Sequence, residues 1–358
     1  MKKILFINPF GIGDVLFTTP LISAIKEAFP DADISYWCNQ RVKEVFLNNP
    51  KVSRVFALSR GDLKKIYDES PLEGVRQFFS LFSQIKKCAF DIAFDFSLDH
   101  RYGIISWLLG IKRRIGFDYK KRGWFLTDKI TINGYKDQPV AARYLELLRF
   151  LGKQPEYGKY QLEVFASELD KIRARISLEQ AGVVAKDILV AIAPGAGASW
   201  GENASLKHWP AIKYARLADR IIERFNVKVL ILGDISEKQI TDVVVTAMKY
   251  KPIDLAGKTT LGELIAAIGN TRLLITNDGG PLHIGAAQGV KTVSIFGPVD
   301  DSVYGPYPPS DKHIVLKHDL DCRPCYQNFK MDICNNNREC INSISVEEVF
   351  AAVEKQLK

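Results

Sequence analysis

KKILFINPFGIGDVLFTTPLISAIKEAFP, residues 2–30, is the stretch on which the reading of the fold turns. An apolar run over 3–8 meets two glycines and an aspartate, Gly11, Gly13 and Asp14, before a helical pattern of apolar positions begins. Strand, glycine-rich turn and helix in that order are the opening of a βαβ unit, in which ligands meet the backbone at the turn. Thr18 and Thr19 before Pro20 suffice to open a helix over 18–29. That leaves the Asp14 carboxylate available for chemistry, whereas a helix opening at Gly13 would make it a first-turn acid acting through the dipole.

Working outward, short β-branched and aromatic runs alternate with amphipathic helical patterns, and they do so twice. The first half has strands near 3–8, 32–37, 52–57, 90–96 and 113–117, with helices near 18–29, 72–87 and 101–110 and a closing helix in QPVAARYLELLRFLG. GKQPEYGKYQLEVF, 152–165, has glycine, proline and little periodicity and reads as the linker. After a helix at 167–182 come strands near 188–193, 227–232, 253–255, 272–276 and 291–296. The expectation is an α/β protein of two Rossmann-like domains, 1–160 and 161–345, with a C-terminal helix over 346–358 and mainly parallel sheets facing a central cleft. Ligands of such sheets bind at the carboxyl ends of the strands. Four polar, glycine-rich strand exits fit that rule: GIGD, PGAG, GDISE and NDGGPLH.

Composition bounds the partners. The 358 residues are 47% hydrophobic and 25% charged, values of an ordinary globular chain that exclude long disordered regions. Residues 1–165 hold 26 Lys and Arg against 18 Asp and Glu, and residues 166–358 hold 23 against 23, so the net +8 lies in the first half. Such an excess suits either an anionic partner or solvated surface lysines, and charge alone does not choose between them. No stretch approaches the ~20 apolar residues of a membrane span, and Asn8, Pro9 and Asp14 interrupt the apolar core of any signal peptide. A cytoplasmic location follows from this reading.

TNDGGPLHIGAAQGVKTVSIFGP, 276–298, is the most informative stretch of the second half. Gly279 and Gly280 let a ligand approach the backbone, and Pro281 suits the first turn of a helix whose open N–H groups attract phosphate. Asp278 is better suited to accepting hydrogen bonds from hydroxyls.

With GIGDVLFTTPLISAIKEAFP, KRRIGF, PGAGASWGENASLKHWP and DLAGKTTLGELIAAI, this stretch resembles, in order from residue 1 to about 350, the ADP-heptose:lipopolysaccharide heptosyltransferases of glycosyltransferase family 9. The resemblance implies a GT-B fold and an inverting, metal-independent transfer of heptose from an ADP-sugar donor to the anionic lipid A core. It implies no cofactor, with the donor held mainly by the second domain and the acceptor by the first. By the same resemblance Asp14 is the catalytic base, Lys207 neutralises the donor phosphates, Glu237 meets the ribose, and Asp278, Gly279, Gly280 and His283 hold the diphosphate and sugar. The chain departs from the family pattern at Gly279, where Ser or Thr is usual, so that only backbone donors serve the phosphate there. Another nucleotide sugar or acceptor, or a nucleotide-sugar epimerase on the same scaffold, is the alternative.

The chemistry asks for these residue types on its own account. An attacking hydroxyl needs a carboxylate within hydrogen-bond reach. A departing diphosphate needs positive charge, and with no DxD-type pair in the motifs a lysine and a helix start are the groups at hand. Lys207 is expected at a strand-to-helix exit facing the cleft, where its loss would weaken donor binding with little effect on stability; a surface lysine before the helix is the blander reading. On the acceptor side Arg101, Arg113, Arg114, Lys120, Lys121 and Arg122 crowd beside Trp107, Tyr119 and Trp124. Such a surface suits a phosphorylated lipid core and a peripheral contact with the cytoplasmic face of an inner membrane. It matches no nucleic-acid module. A dinucleotide oxidoreductase is also disfavoured, because GIGDVLF lacks the third glycine of G-x-G-x-x-G. Cys322, Cys325, Cys334 and Cys340 have the spacing C-x2-C-x8-C-x5-C, which suits either a zinc thiolate site or reduced structural cysteines; the second is the expectation, with no metal in catalysis.

Overall fold

A computed structural model describes residues 2–358. The chain divides into two compact units, Met1–Glu163 and Val164–Lys358. The first has six strands, β1 (Lys3–Ile7), β2 (Asp33–Cys38), β3 (Arg54–Ala57), β4 (Ile92–Asp95), β5 (Arg113–Tyr119) and β6 (Asp128–Ile132). All pair in parallel, in the order β3-β2-β1-β4-β5-β6. The second has β7 (Leu189–Ala193), β8 (Lys228–Ile231), β9 (Ile253–Asp254), β10 (Leu273–Asn277), β11 (Lys291–Ile295) and β12 (His313–Leu316), in the order β12-β11-β10-β7-β8-β9. Counted within its own unit, each sheet runs 3-2-1-4-5-6, the doubly wound order, and its chain direction reverses between the first and fourth strands. Those switch points lie beside β1 and β4 in one unit, and beside β7 and β10 in the other.

The central strands read as continuous apolar runs because helices cover both faces. β7, LVAIA, and β10, LLITN, are buried along their whole length. In the first unit one layer is aromatic: Phe6 packs against Tyr36 and Phe94, and Phe96 lies 4.6 Å from Tyr144. In the second, Trp209 is fully buried and donates its Nε1–H to Ile344 O at 2.9 Å. The C-terminal helix Val346–Leu357 places Val349 and Val353 in that same core.

The edge strands β6 and β12 escape a sequence reading because they are short and only partly buried, so neither is a continuous apolar run. The helix Arg60–Glu69 is likewise invisible to periodicity, since none of its residues is buried. The closing helix is an α-helix only over Val140–Leu145; it tightens to a 3-10 turn over Glu146–Leu151 and stops at Gly152, whose φ is 72°.

Candidate active site

The turn after β1 carries Asp14, and its local structure corrects the sequence reading. A short helix, Ile12–Leu16, opens before the expected one, with Gly11 as its N-cap and Asp14 in its first turn. The Asp14 Oδ2 accepts from Gly11 N–H at 3.2 Å, half of a capping box. The next helix, Thr19–Ala28, takes no side-chain cap from Thr18, because both threonines bond backward: Thr18 to Val15 O at 2.6 Å and Thr19 to Leu16 O at 2.7 Å. Asp14 therefore does have a structural part, as a first-turn acid. It remains half-buried at the carboxyl end of the first strand. Two asparagines hold this turn in place. Asn8 donates to Asp14 O at 3.0 Å, and Asn39, at the exit of β2, donates to Pro9 O and Phe10 O.

The basic residues of this unit separate into two groups by strand direction. Arg113 and Arg114 open β5, opposite Ile92 and Ala93, at the amino edge of the sheet. Asp14 follows the carboxyl edge. Arg113 makes a bidentate pair with Asp128 at 3.0 and 3.1 Å, and Arg114 donates to Phe125 O at 2.8 Å, so both tie β5 to its neighbours. Lys120, Lys121 and Arg122 are exposed in the turn after β5, at the carboxyl edge. Arg101 stands near the start of the helix after β4 and pairs with Asp99 at 2.7 Å; Arg60, which the sequence reading missed, meets the same carboxylate at 3.5 Å. Only SRGD at the exit of β3 pointed to it.

Asp95, also missed, ends β4. It is buried, its Oδ1 accepts from Ser97 N–H at 2.8 Å, and its Oδ2 has no hydrogen-bond partner among the described residues. Burial pushes its carboxyl up to about 6.

In the second unit the exits of β7, β8 and β10 converge on the turn Pro194–Gly197. Asn277, the last residue of β10, is the organiser that the sequence reading overlooked: it donates to Pro194 O at 2.6 Å and Gly195 O at 3.1 Å, and accepts from Trp209 N and the Tyr214 hydroxyl. Glu237 reaches across from the β8 exit, accepting from Gly197 N–H at 2.8 Å and Asp234 N–H at 2.9 Å. A Cβ at Gly195 would lie 1.9 Å from the Glu237 Oε1, so a larger residue there would displace the Glu237 carboxylate from its place. Gly279 and Gly280 open the helix Gly280–Ala287, and Gly279 passes so close to Ala196 that a Cβ would sit 3.1 Å from its carbonyl oxygen.

Lys207 departs from expectation. It is 2% exposed and its Nζ lies 2.7 Å from Asp278 Oδ2, with the Trp200 ring 3.9 Å from the ammonium. The lysine expected to be removable with little loss of stability is half of a buried ion pair, so its removal would strand a buried carboxylate. His283 is also buried on this side, and burial lowers its ring to about 4, so it is neutral at physiological pH. The structure thus brings Lys207, Asp278, Gly279, Gly280 and His283 together, with Glu237 joined to them through the Pro194–Gly197 turn.

The four clustered cysteines are thiols that line one small space below Pro298 and Leu206. Among the described residues, as their side chains stand, no group of three or more His, Cys, Asp or Glu could hold a metal ion, these four cysteines included.

Two Rossmann-type units, a carboxylate at one strand exit and a glycine-lined helix start, a kind of site suited to anions, at another are the parts expected of a GT-B glycosyltransferase. Residues 78–332 match the family model "Glycosyltransferase family 9 (heptosyltransferase)", and the chain belongs to that family. It is a glycosyltransferase. It is 25% identical over 361 residues to lipooligosaccharide heptosyltransferase 2 of Campylobacter jejuni, covering 99% of this chain and 98% of that one. Its fold is similar to that of a glycosyl transferase family 9 structure from Veillonella parvula, with a TM-score of 0.84, 27% identity and coverage of 99% and 97%. E. coli ADP-heptose lps heptosyltransferase II has the same fold, at a TM-score of 0.76, 20% identity and coverage of 100% and 98%.

Proposed function

We propose that this protein transfers a heptose from ADP-heptose to the inner core of lipopolysaccharide, with inversion and with Asp14 as general base. The observation that carries the reading is the pairing of two switch-point sites in a family 9 chain: a half-buried carboxylate after β1, and a glycine-lined helix start after β10. The acceptor hydroxyl oxygen attacks the anomeric carbon, its proton passes to Asp14, and the bond from that carbon to the diphosphate oxygen breaks to release ADP. The N–H groups at Gly280 and the Lys207 ammonium take up the charge that develops on the diphosphate, and Glu237 and Asp278 accept from donor hydroxyls. Neutral His283 offers a hydrogen bond to the donor without adding charge.

On the acceptor side Arg101, Lys120, Lys121 and Arg122, with Arg60 beside them, meet the anionic core at the carboxyl edge of the first sheet. Arg113 and Arg114 serve β5 instead. A peripheral contact with the cytoplasmic face of the inner membrane is supported by apolar side chains left in the open beside basic ones: Leu72, Phe79, Trp107 and Trp124 are all more than half exposed. Among the described residues no helix is long and apolar enough to cross a membrane.

The test is a mass measurement. Purified protein incubated with ADP-heptose and a heptose-deficient core acceptor should add one heptose and release ADP. Donor consumed at the same rate without acceptor would move the reading to an epimerase or a hydrolase.

A further inference from the structure

Residues 320–342 play no part in the transfer just described and have little apolar core of their own. Their only strands are the two-residue β13 (Tyr326–Gln327) and β14 (Lys330–Met331), and Ile333 is 88% exposed. A segment of that kind needs a cross-link to hold one shape. Four thiols are placed to supply it. Cys322 and Cys325 flank a tight turn, the β13–β14 hairpin follows, and Cys334 and Cys340 return to the same spot. All four line one space of about 10 Å³, which is room for one atom-sized guest.

The sulfurs are also addressed by donors. Asn336 Nδ2 donates to Cys322 Sγ at 3.3 Å, and Arg338 N–H donates to Cys334 Sγ at 3.2 Å. Asn337 and Arg338 adopt left-handed φ values of 45° and 57°, which bring that N–H onto the sulfur. A thiol is a poor acceptor, whereas a thiolate held by a metal is stabilised by such bonds. Four cysteines lining one space, all of them free, leave that space open to an ion.

We propose that Cys322, Cys325, Cys334 and Cys340 form a structural tetrathiolate site for one soft transition-metal ion, zinc or iron, which braces the donor side of the second unit. Binding exchanges the four thiol protons, released to solvent, for four metal–sulfur bonds, and the S–H bond from Cys325 to Cys322 O is given up. In the loaded site each sulfur would lie ~2.3 Å from the ion, so the side chains must turn inward from where they stand. The brace is visible in what the segment touches. The Arg323 guanidinium donates to Gly297 O at 2.6 Å and Val299 O at 3.0 Å, Arg338 donates to Ser205 O at 2.6 Å, and the Tyr326 ring packs 4.7 Å from Trp200, which itself underlies Lys207.

Elemental analysis of the full chain purified without added metal should find about one equivalent of zinc or iron; visible colour marks iron and its absence marks zinc. After stripping under reducing conditions, cobalt(II) should restore a sulfur-to-cobalt charge-transfer band that saturates at about one equivalent. Cys334→Ser should weaken that band about tenfold or more, while Cys88→Ser, in the first unit, should leave it unchanged. The site is overturned by less than about a tenth of an equivalent of metal together with no cobalt band in the reduced wild-type chain, or by two disulfides among these four cysteines in the native protein. The readout is metal content and spectrum, so it stands apart from whether the enzyme transfers heptose.

Discussion

At the scale of single residues, Asp14 is a cap in the structure and a base in the proposed mechanism, and substitution separates the two. Asp14→Asn keeps an oxygen for Gly11 N–H but cannot take a proton. Turnover should fall by roughly 100-fold or more, with a change in stability below about 1 kcal/mol. Steady-state kinetics beside a urea melt checks it, and turnover within a few-fold of wild type would leave Asp14 a cap alone. Lys207 has the reverse profile. Lys207→Met leaves Asp278 buried without its cation, 2.7 Å from where the ammonium stood, and should cost about 3–5 kcal/mol in stability as well as donor binding. Adding Asp278→Leu should recover most of the stability and none of the activity. Denaturation of the single and double variants decides whether the pair is as buried in solution. LKHWP singles out Lys207 in the sequence but not its burial, which is conferred by Trp200 and Asp278, 7 and 71 positions away.

At the scale of elements, the proposed donor site is a set of strand exits held in mutual register by side chains. Asn277 and Glu237 fix Pro194–Gly197 from two sides, so that turn has little freedom to yield. Gly279 therefore pays no backbone strain, its φ of −178° being open to any residue, yet it has no room for a side chain. Gly279→Ser should destabilise by about 1–2 kcal/mol and weaken ADP binding, because a Cβ 3.1 Å from Ala196 O must push a turn that is pinned. Thermal denaturation with and without ADP reads both effects. A more stable variant with tighter ADP binding would show that the turn gives way and that a serine hydroxyl can be accommodated here.

At the scale of the whole molecule, buried titratable groups set the response to pH. Burial lowers His208, His283 and His313 from 6.5 to about 4, so between those values the unfolded chain binds more protons, and stability falls as pH drops. Asp95 works the other way. Raised from 3.8 to about 6, it keeps its proton in the folded state, and its contribution is lost as pH rises through 6. Three histidines outweigh one carboxyl, so the urea midpoint should climb from pH 4 to pH 6.5. Asp95→Asn should stabilise the chain at pH 7 by about 1–3 kcal/mol, a gain that shrinks toward zero near pH 4. A constant difference across that range would mean that Asp95 is ionised freely in the fold.

The sequence by itself determined that two parallel α/β sheets are built and that glycine-rich turns leave the carboxyl ends of their strands. Both follow from local causes: buried strands must be apolar throughout, and a backbone turning sharply toward a ligand needs glycine. It also placed Asp14, Asp278 and His283 at those exits, because an exit is a position along the chain. Only the tertiary structure decided which neighbours those residues meet. The pairing of Lys207 with Asp278, the two-sided hold of Asn277 and Glu237 on one turn, and the burial of Asp95 arise from contacts between strands far apart in sequence. Strand direction decided the basic residues: Arg113 and Lys120 are seven positions apart in one charged run, yet they lie at opposite edges of the sheet because β5 runs between them. A linear count of charge has no direction, and a parallel sheet does.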